Sequence, residues 1–387
     1  MTVGHDSRRR ESTTDVRSSE GLDALRATDW SFEASTRRSL THDLHPWPAK
    51  FIPDIPALAI RALTAPGDTV LDPFAGCGTT AVEARAAGRS CIASDVNPLA
   101  VRIAEGKCET PSQSERVDIS RWSATLKSRS VSDELLALAP DIPNRDYWFD
   151  LPVVAQLAAL RRSIADLGIA QAFLETVFSS IIVHVSHQES ETRYRRVEKS
   201  VDAEAVLARF QRRLEIGLQM AARFDALDDT NFERRYVVRD ARYLDEVVES
   251  DSVKLVVFSP PYPNSFDYHL YHRFRMFWLG FDPRPIKHQE IGAHLRYEPR
   301  GHWEADMGEV LAALEKVLAP GGHLVCVVGD GIISGERVPS ADLLWHAGEA
   351  AGLTGVWRRT RPVARQRRAF NLSDTRLREE QVLVMVK

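Results

Sequence analysis

One strand–turn–helix–strand segment constrains the fold of this chain more than any other feature. Thr69-Val70-Leu71 is a short apolar run that predicts a buried strand, and the turn DPFAGCGTT and the helical stretch AVEARAAG follow it. A second apolar run, Ser90 to Ser94, ends at Asp95. Both runs are continuous rather than alternating, which indicates a parallel sheet covered on both faces. The segment therefore predicts a βαβ unit.

Strand patterns resume in the second half of the chain. They occur at residues 236–238, 253–258 and 323–328, and the last two apolar runs, 353–361 and 381–386, predict an antiparallel pair at the sheet edge. Together with the βαβ unit, these runs predict an α/β fold with a doubly wound, mostly parallel sheet.

The chain divides by composition into four predicted regions. Residues 1–40 are polar and aperiodic and predict a flexible tail with at most a short helix. We expect residues 41–108 to form one half of the sheet domain and residues 236–387 the other half. Between them, residues 109–235 carry long stretches with apolar residues three and four apart, such as LPVVAQLAALRRSI, and predict a helical insertion.

The spacing of the four cysteines argues against a disulfide framework and against a zinc site. They form no CxxC pair, so neither a disulfide framework nor a zinc site is expected, and no metal is predicted. No apolar run reaches the roughly 18 residues that a membrane span needs, and the first residues lack the apolar core of a secretory signal. We therefore expect a cytoplasmic protein that does not enter the membrane.

The turn after the first strand has the features of a ligand site. Gly76 and Gly78 allow a sharp turn and let a ligand approach the backbone at the carboxyl end of a strand. Asp72 opens the turn, and Asp95 ends the next strand, where an acidic residue commonly accepts hydrogen bonds from ribose hydroxyls. The spacing is not that of a phosphate loop. A turn flanked by carboxylates suits a cationic or neutral nucleoside better than a pyrophosphate.

A second turn follows the predicted strand at residues 253–258. It reads Ser259-Pro260-Pro261-Tyr262. Consecutive prolines fix the chain and remove two N–H donors, so the turn presents hydrogen-bond acceptors at the carboxyl edge of the sheet. Taken alone, such a pair of prolines could simply end a strand.

The two turns together resemble the S-adenosylmethionine-dependent amino methyltransferases of DNA, which methylate N4 of cytosine or N6 of adenine. DPFAGCGTT looks like the cofactor motif of this family and SPPY like its catalytic motif. The preceding segment HPWPAKF is similar to the one found before the cofactor motif in many members. The resemblance covers about residues 41–97 and 237–280, and the predicted insertion matches no segment of the family.

The resemblance implies S-adenosyl-L-methionine as the cofactor. It places Asp72, Gly76 and Gly78 around the methionine part of that molecule, with Lys50 and Phe51 nearby.

The adenosine part of the cofactor has three implied contacts. Asp95 would accept hydrogen bonds from the ribose, Asn97 would lie beside it, and Asp240 would sit next to the adenine. The Asp240 role competes with a simpler one, because an aspartate that follows a strand is commonly a turn or cap residue.

The resemblance also implies a mechanism. Ser259 and the Pro260 carbonyl would accept hydrogen bonds from the target amino group, Pro261 would complete the rigid turn, and Tyr262 would stack on a base flipped out of double-stranded DNA. Serine at the first position of the motif is associated in this family with N4 of cytosine. N6 of adenine, or an RNA substrate, is the alternative.

Further residues are expected to contact the nucleic acid. Asn264, Asp267 and Tyr268 lie close enough to the SPPY turn to line the substrate pocket. An arginine cluster near the end of the chain predicts contacts with the DNA backbone: Arg358, Arg359, Arg361, Arg365, Arg367 and Arg368. The formal net charge of -4 opposes this expectation only as an average over the chain. A cognate restriction endonuclease is a further possible partner, and helical region 109–235 is a candidate for target recognition.

Overall fold

A seven-stranded sheet forms the centre of the molecule. The computed structural model describes residues 19–32, 40–224, 227, 232–264, 266–293, 300–333, 336–363 and 379–387. The strands of the sheet are β1 (Thr69–Asp72), β2 (Ser90–Asp95), β5 (Arg234–Val238), β6 (Val253–Phe258), β7 (Leu318–Val328), β10 (Thr354–Pro362) and β11 (Glu379–Val386). Two short hairpins, β3 (Gln188–Ser190) with β4 (Arg193–Arg196) and β8 (Gly331–Ile333) with β9 (Glu336–Val338), lie outside it.

The strand order confirms the predicted doubly wound sheet. The order across the sheet is β10-β11-β7-β6-β1-β2-β5. Strands β5, β2, β1, β6 and β7 are mutually parallel, whereas β11 runs antiparallel to both β7 and β10. The predicted antiparallel pair at the end of the chain is therefore present, and β10 is the edge strand.

Alternate side chains of the sheet enter two separate cores. Val70 and Val257 pack on one face, and Leu71 and Val256 pack on the other. Because successive side chains of a strand point to opposite faces, a strand buried on both sides must be apolar at every position. This explains why the strands appear in the sequence as continuous apolar runs.

Helices cover both faces of the sheet and form a further layer beside it. Residues 19–27 form helix α1. The others are α2 (Asp54–Leu63), α3 (Thr79–Ala86), α4 (Pro98–Cys108), α5 (Gln113–Thr125), α6 (Asp133–Ala137), α7 (Arg145–Trp148), α8 (Leu151–Leu167), α9 (Gln171–Val185), α10 (Ala203–Ala221), α11 (Tyr268–Tyr271), α12 (Arg273–Leu279), α13 (Arg300–Val317) and α14 (Ser340–Ala350). In the part of the chain that is described, no helix is both long and apolar enough to span a membrane.

The helices between β2 and β5 share a core with the chain after β6. Phe178 of α9 and Phe210 of α10 belong to the same apolar cluster as Phe274 and Trp278 of α12. Helix α9 also lies against α4, where a Cβ on Gly106 would come within 2.3 Å of the Ala172 carbonyl oxygen. The helical region is thus packed onto the sheet domain on the side of the residues that follow the SPPY turn.

The N-terminal segment is ordered where it is described, which corrects the prediction of a flexible tail for residues 19–32. Leu25 and Trp30 are fully buried in the core beneath α2. A Cβ on Gly21 would lie only 2.1 Å from the Ala62 carbonyl oxygen, so α1 lies directly against α2. The segment looked polar because only Leu25, Trp30 and a few neighbours make the contact, too few to produce a periodic pattern.

Removing one of these buried side chains should destabilise the whole domain. We expect Leu25→Ala to lower the free energy of unfolding by about 2–5 kcal/mol, because the substitution leaves a cavity in a packed core. Asp23→Ala, on the exposed side of the same helix, is the control and should change it by less than about 0.5 kcal/mol. Urea denaturation measures both values, and equal stability of the two variants would show that α1 is not part of the folding unit.

Candidate functional site

Asp72 holds the turn after β1 in place. Its carboxylate accepts a hydrogen bond from the backbone N–H of Phe74 at 3.0 Å. Burial raises the pKa of Asp72 to about 7, although the hydrogen bond from Phe74 acts in the opposite direction. The carboxylate therefore closes the turn and titrates near neutral pH.

Two positions of this turn favour glycine because their backbone has a positive φ and because neighbouring atoms lie close to the backbone. Gly76 and Gly78 have positive φ values of 48° and 78°. A Cβ on Gly78 would lie 2.6 Å from the Ala104 Cα of helix α4, and one on Gly76 would come within 3.4 Å of Nε1 of Trp47. Gly78 thus lets α4 pack directly against the turn, and Gly76 lies beside the Trp47 indole at the carboxyl end of β1.

Asp95 connects this turn to the end of β2. Its Oδ2 accepts the N–H of Gly76 at 2.9 Å, and its Oδ1 accepts the N–H of Asn97 at 2.9 Å. Burial is the largest effect on Asp95 and raises its pKa to about 6, with a further rise from the charge of Glu290. Each carboxylate oxygen retains a second lone pair that a ligand hydroxyl could use.

Asn97 offers a donor beside Asp95. Its Oδ1 caps helix α4 by accepting the N–H of Leu99 at 3.0 Å. Its Nδ2 is buried and has no hydrogen-bond partner among the described residues. An unused buried donor costs free energy unless a ligand or water satisfies it, so this atom indicates that a polar group binds here.

A pocket of about 470 Å³ opens at the carboxyl ends of β2 and β5. It is lined by Val96, Val238, Arg239, Asp240, Tyr243, Glu246 and Gln289. The Asp240 carboxylate is already engaged, because it accepts the N–H of Arg242 at 3.0 Å and forms an ion pair with its guanidinium at 2.6 Å. Asp240 thus caps the following turn and at the same time forms part of the pocket wall.

Lys50 and Phe51 lie in the segment before β1, and the contacts of both side chains are with other parts of the fold. The Nζ of Lys50 donates to the His42 carbonyl and to Asp43, both at 3.2 Å, while Phe51 packs against one core of the sheet. The residue of this segment that reaches the glycine turn is Trp47, which the sequence analysis did not select.

The SPPY turn leaves the end of β6, the strand next to β1. Tyr262 is partly buried, and its hydroxyl donates to Oε1 of Glu380 at 2.8 Å. Burial, followed by the charge of Glu380, raises the pKa of Tyr262 well above its usual value. The Pro261 carbonyl accepts the indole N–H of Trp303 at 3.0 Å, whereas Pro260 is buried.

The three residues expected to line a substrate pocket have different environments. Asn264 is exposed and donates to the carbonyl of Ile332 in β8 at 2.8 Å. Asp267 is buried immediately before α11, and its carbonyl accepts N–H groups of that helix. Tyr268 stacks on Trp47 with the ring centroids 5.6 Å apart. Of the three, Tyr268 is the one that meets the residue beside the cofactor turn.

A stack of aromatic rings joins the two motifs. The Trp47 ring contacts both Tyr268 and His272, with its centroid 4.2 Å from the His272 ring, and the Tyr268 and His272 centroids are 6.3 Å apart. Burial, followed by the charge of Arg275, lowers the pKa of His272 well below its usual range. The segment before β1 and the segment after SPPY therefore meet next to Gly76.

Glu290 is a further acidic group at this edge that the sequence did not reveal. Its two oxygens accept the N–H of His269 at 2.7 Å and contact Nδ1 of the same residue at 2.6 Å, and both side chains are buried. Burial raises the pKa of Glu290. No local pattern marks the residue, because its role depends on the position of α11.

The arginines of the cluster lie in different environments, and the assignment of Arg361 to the DNA backbone is wrong. Arg361 is 1% exposed and forms an ion pair with Glu380, so it is not available to a DNA backbone. Arg359 is exposed and donates to the carbonyls of Arg26 and Thr28 at 3.1 Å. Arg358 is exposed and pairs with Asp342 at 2.8 Å. The remaining three, Arg365, Arg367 and Arg368, lie outside the described residues.

The observed donor and acceptor set fits a nucleoside cofactor. The backbone of Gly76, the Asp95 carboxylate and the unsatisfied Nδ2 of Asn97 lie at one edge of the sheet, next to an open pocket. Among the described residues, no group of three histidine, cysteine or acidic side chains could hold a metal ion.

Comparisons with known proteins point to one family. Residues 4–106, which include the glycine turn, match the family model described as DNA methylase. The type II methyltransferase M.MvaI of Kocuria varians is 26% identical over 167 residues, which is 40% of this chain and 37% of that protein. M.BglI of Bacillus subtilis is 36% identical over 100 residues, covering 26% of this chain and 27% of that protein.

A third relative shows the same likeness over a shorter stretch. The type II methyltransferase M.MjaII of Methanocaldococcus jannaschii is 34% identical over 86 residues, covering 21% of this chain and 16% of that protein. The matches thus span less than two fifths of the length of these relatives. The family match supports S-adenosylmethionine as the cofactor. The resemblance to the S-adenosylmethionine-dependent DNA amino methyltransferases, predicted from the sequence, is confirmed by these matches.

Proposed function

We propose that this protein transfers the methyl group of S-adenosylmethionine to the exocyclic amino group of a base in double-stranded DNA, namely N4 of cytosine. The observation that carries the proposal is the pairing of β1 with β6. These strands are adjacent and parallel, with Leu71 opposite Val256, so the glycine turn and the SPPY turn leave the same edge of the sheet side by side. A cofactor in the first turn would adjoin a base in the second.

The cofactor would be held by groups that the fold already orients. Its methionine part would lie against the backbone of Gly76 and Gly78, near Asp72. The ribose hydroxyls would donate to Asp95, and the Asn97 amide has a free donor beside them. The pocket next to Asp240 has room for the adenine ring. The cofactor supplies a methyl group on a positively charged sulfur, which suits an edge rich in carboxylates.

The target amine needs acceptors rather than a strong base. An exocyclic amine is a poor nucleophile because its lone pair is delocalised into the ring. Hydrogen bonds from its two hydrogens to Ser259 and to the Pro260 carbonyl would favour a tetrahedral nitrogen with a localised lone pair. Positioning and electrostatic complementarity would then supply most of the acceleration.

The amine is enclosed in duplex DNA, so the base must leave the stack before it can react. Tyr262 would then provide the surface on which the flipped base rests. Serine at position 259 supports cytosine as the target, and N6 of adenine is the alternative. The resemblance also suggests a cognate restriction endonuclease as a partner. The cytoplasmic location and the boundaries of the four regions are further proposals, and they come from composition and sequence patterns.

The first test is the reaction itself. Purified protein should transfer tritiated methyl groups from S-adenosylmethionine to unmethylated DNA, and Tyr262→Ala should lower the transfer about 100-fold because the base loses its support. Cofactor binding by this variant should be unchanged. Mass spectrometry of the digested product should show N4-methylcytosine. N6-methyladenine alone would overturn the cytosine assignment, and transfer to RNA but not to DNA would overturn the substrate.

Cofactor binding should depend on pH. The pKa values of Asp72 and Asp95 are raised to about 7 and about 6. A cationic ligand favours both carboxylates, so binding below pH 7 must release protons, and the Kd should rise about tenfold from about pH 8 to pH 5.5. Calorimetry in two buffers of different ionisation enthalpy measures the protons released.

Two variants make this measurement specific. Asp95→Asn should weaken binding and remove the lower part of the pH dependence. Asp166→Asn, an exposed acid on α8 that pairs with Arg162, should leave the pH dependence unchanged. A Kd that does not vary with pH in the unmodified protein would contradict the assignment of both carboxylates.

The β3–β4 hairpin is our candidate for contact with the DNA backbone. It carries Arg193 and Arg195, both exposed, and Arg195 has no ion pair or hydrogen bond among the described residues. The hairpin is anchored to the two helices that follow the catalytic turn, because Gln188 donates to the Tyr271 carbonyl at the end of α11 at 3.3 Å and Arg275 of α12 pairs with Glu191 at 2.7 Å. A contact here would give the helical region a role in target binding.

Salt dependence tests the hairpin directly. Replacing Arg193 and Arg195 by alanine should lower the slope of log K against log salt by about 2, because each phosphate contact contributes about 0.9. Cofactor affinity should be unchanged. The matched control removes two exposed arginines elsewhere, Arg121 and Arg162, and should keep the original slope. An unchanged slope in the hairpin variant would exclude it from the interface.

A further inference from the structure

A guanidinium lies in a cluster of aromatic rings at the start of helix α12. It belongs to Arg273, the first residue of that helix. The guanidinium carbon lies 4.0 Å from the ring centroid of Tyr194, which belongs to strand β4. The ring centroids of Phe274 and Trp148 lie 4.7 Å and 5.3 Å from the same carbon. Rings from α7, β4 and α12 therefore hold the head of this side chain.

The hydrogen-bond donors of Arg273 are unused. Among the described residues, its side chain has no ion pair and no hydrogen bond, and its Nε is buried without a partner. The side chain as a whole is only partly covered. Burial is the only cause of the shift in its pKa, which it lowers to about 10, so the guanidinium is still charged at neutral pH. No nearby carboxylate compensates for this loss of hydration.

Stacking on a ring does not by itself leave an arginine unpaired in this fold. Arg85 of α3 has its guanidinium carbon 4.1 Å from the Phe224 centroid and donates to Oγ1 of Thr110 at 2.9 Å. Four other arginines of the described residues lie over rings, and each has an acidic partner: Arg196 with Glu198, Arg239 with Glu246, Arg242 with Asp240, and Arg358 with Asp342. Arg273 is the exception.

The chemistry of this group points to an anion as its missing partner. A partly buried cation without a partner costs free energy, which an anionic ligand would recover. The aromatic rings attract the cation but do not replace strong acceptors, so the N–H groups of Arg273 remain available. A guanidinium is planar, and its N–H groups match two oxygens of a phosphate.

The surroundings of Arg273 favour a phosphate of DNA over a small anion. Strand β4, which supplies the Tyr194 ring, also carries the exposed Arg193 and Arg195. On the other side, Arg273 follows His272, whose ring stacks on Trp47 next to the glycine turn. A single bound phosphate would leave the other arginines without a role, whereas a chain of phosphates could reach all of them.

We propose that Arg273, held by Tyr194, Phe274 and Trp148, binds one phosphodiester group of the DNA backbone. The inference rests on the proposed function. It adds a contact on a helix that follows the SPPY turn, separate from the arginines of the β3–β4 hairpin. Neither the sequence pattern nor the resemblance selected this residue.

The test measures the affinity for a fluorescent DNA duplex over a range of salt concentrations, without methyl transfer. Arg273→Gln should lower the slope of log K against log salt by about 0.9, the contribution of one phosphate contact. Arg273→Lys keeps the charge and should keep the slope. Its Kd should be about tenfold higher, because an ammonium group cannot form the paired contact of a guanidinium.

Two further measurements separate a binding role from a structural one. Arg85→Gln is the matched control, because it removes a stacked guanidinium whose donors are used within the fold, and it should leave the slope unchanged. Arg273→Gln should melt at the same temperature as the unmodified protein or higher, since it removes a partly buried charge that has no partner. Its affinity for the cofactor should not change.

The outcomes distinguish this inference from the proposed function. If the unmodified protein methylates DNA and Arg273→Gln keeps the original slope, the phosphate site is wrong and the function stands. A lower melting temperature together with that unchanged slope would assign Arg273 to the fold alone. If the expected slopes are found but no methyl group is transferred, the proposed function fails and the phosphate site stands. A protein that does not bind DNA would overturn both.

Discussion

The parallel pairing of β1 with its two neighbours is the constraint on which the candidate site depends. Parallel strands end at the same edge of a sheet, so the turns after β1, β2 and β6 must meet there whatever the chain does in between. The hydrogen bond from the Gly76 N–H to Asp95, at 2.9 Å, locks two of these turns together. Residues as distant in sequence as Asp72 and Ser259 are thereby brought to one place by backbone pairing alone.

Local patterns were sufficient to predict the sheet and the core of the site. The strands are apolar at successive positions because both faces of the sheet are covered, and Asp72, Gly76, Gly78 and Asp95 follow strands directly. Such residues can be found from the sequence because their position depends on a single neighbouring element. The antiparallel pair at the end of the chain was predictable for the same reason.

Residues whose position depends on two distant elements were missed or misassigned. Trp47 reaches Gly76 only through the packing of its own segment, and Glu380 meets Tyr262 across the sheet. The arginines of β10 resembled one basic patch, but side chains alternate along a strand. Arg358 therefore faces Asp342 of α14, while Arg359 and Arg361 face the N-terminal segment. The sequence pattern alone does not show what each of these arginines contacts.

The positions of the charged residues say more about the partner than the net charge of -4 does. That value counts Asp72 and Asp95 as ionised, although burial raises their pKa values to about 7 and about 6, so the protein without a ligand retains part of these protons near neutral pH. Both acids lie at an edge that suits a cationic cofactor. Arg361 balances Glu380 in the interior, whereas Arg195 is exposed. A chain of negative net charge can therefore present acids to one ligand and arginines to another.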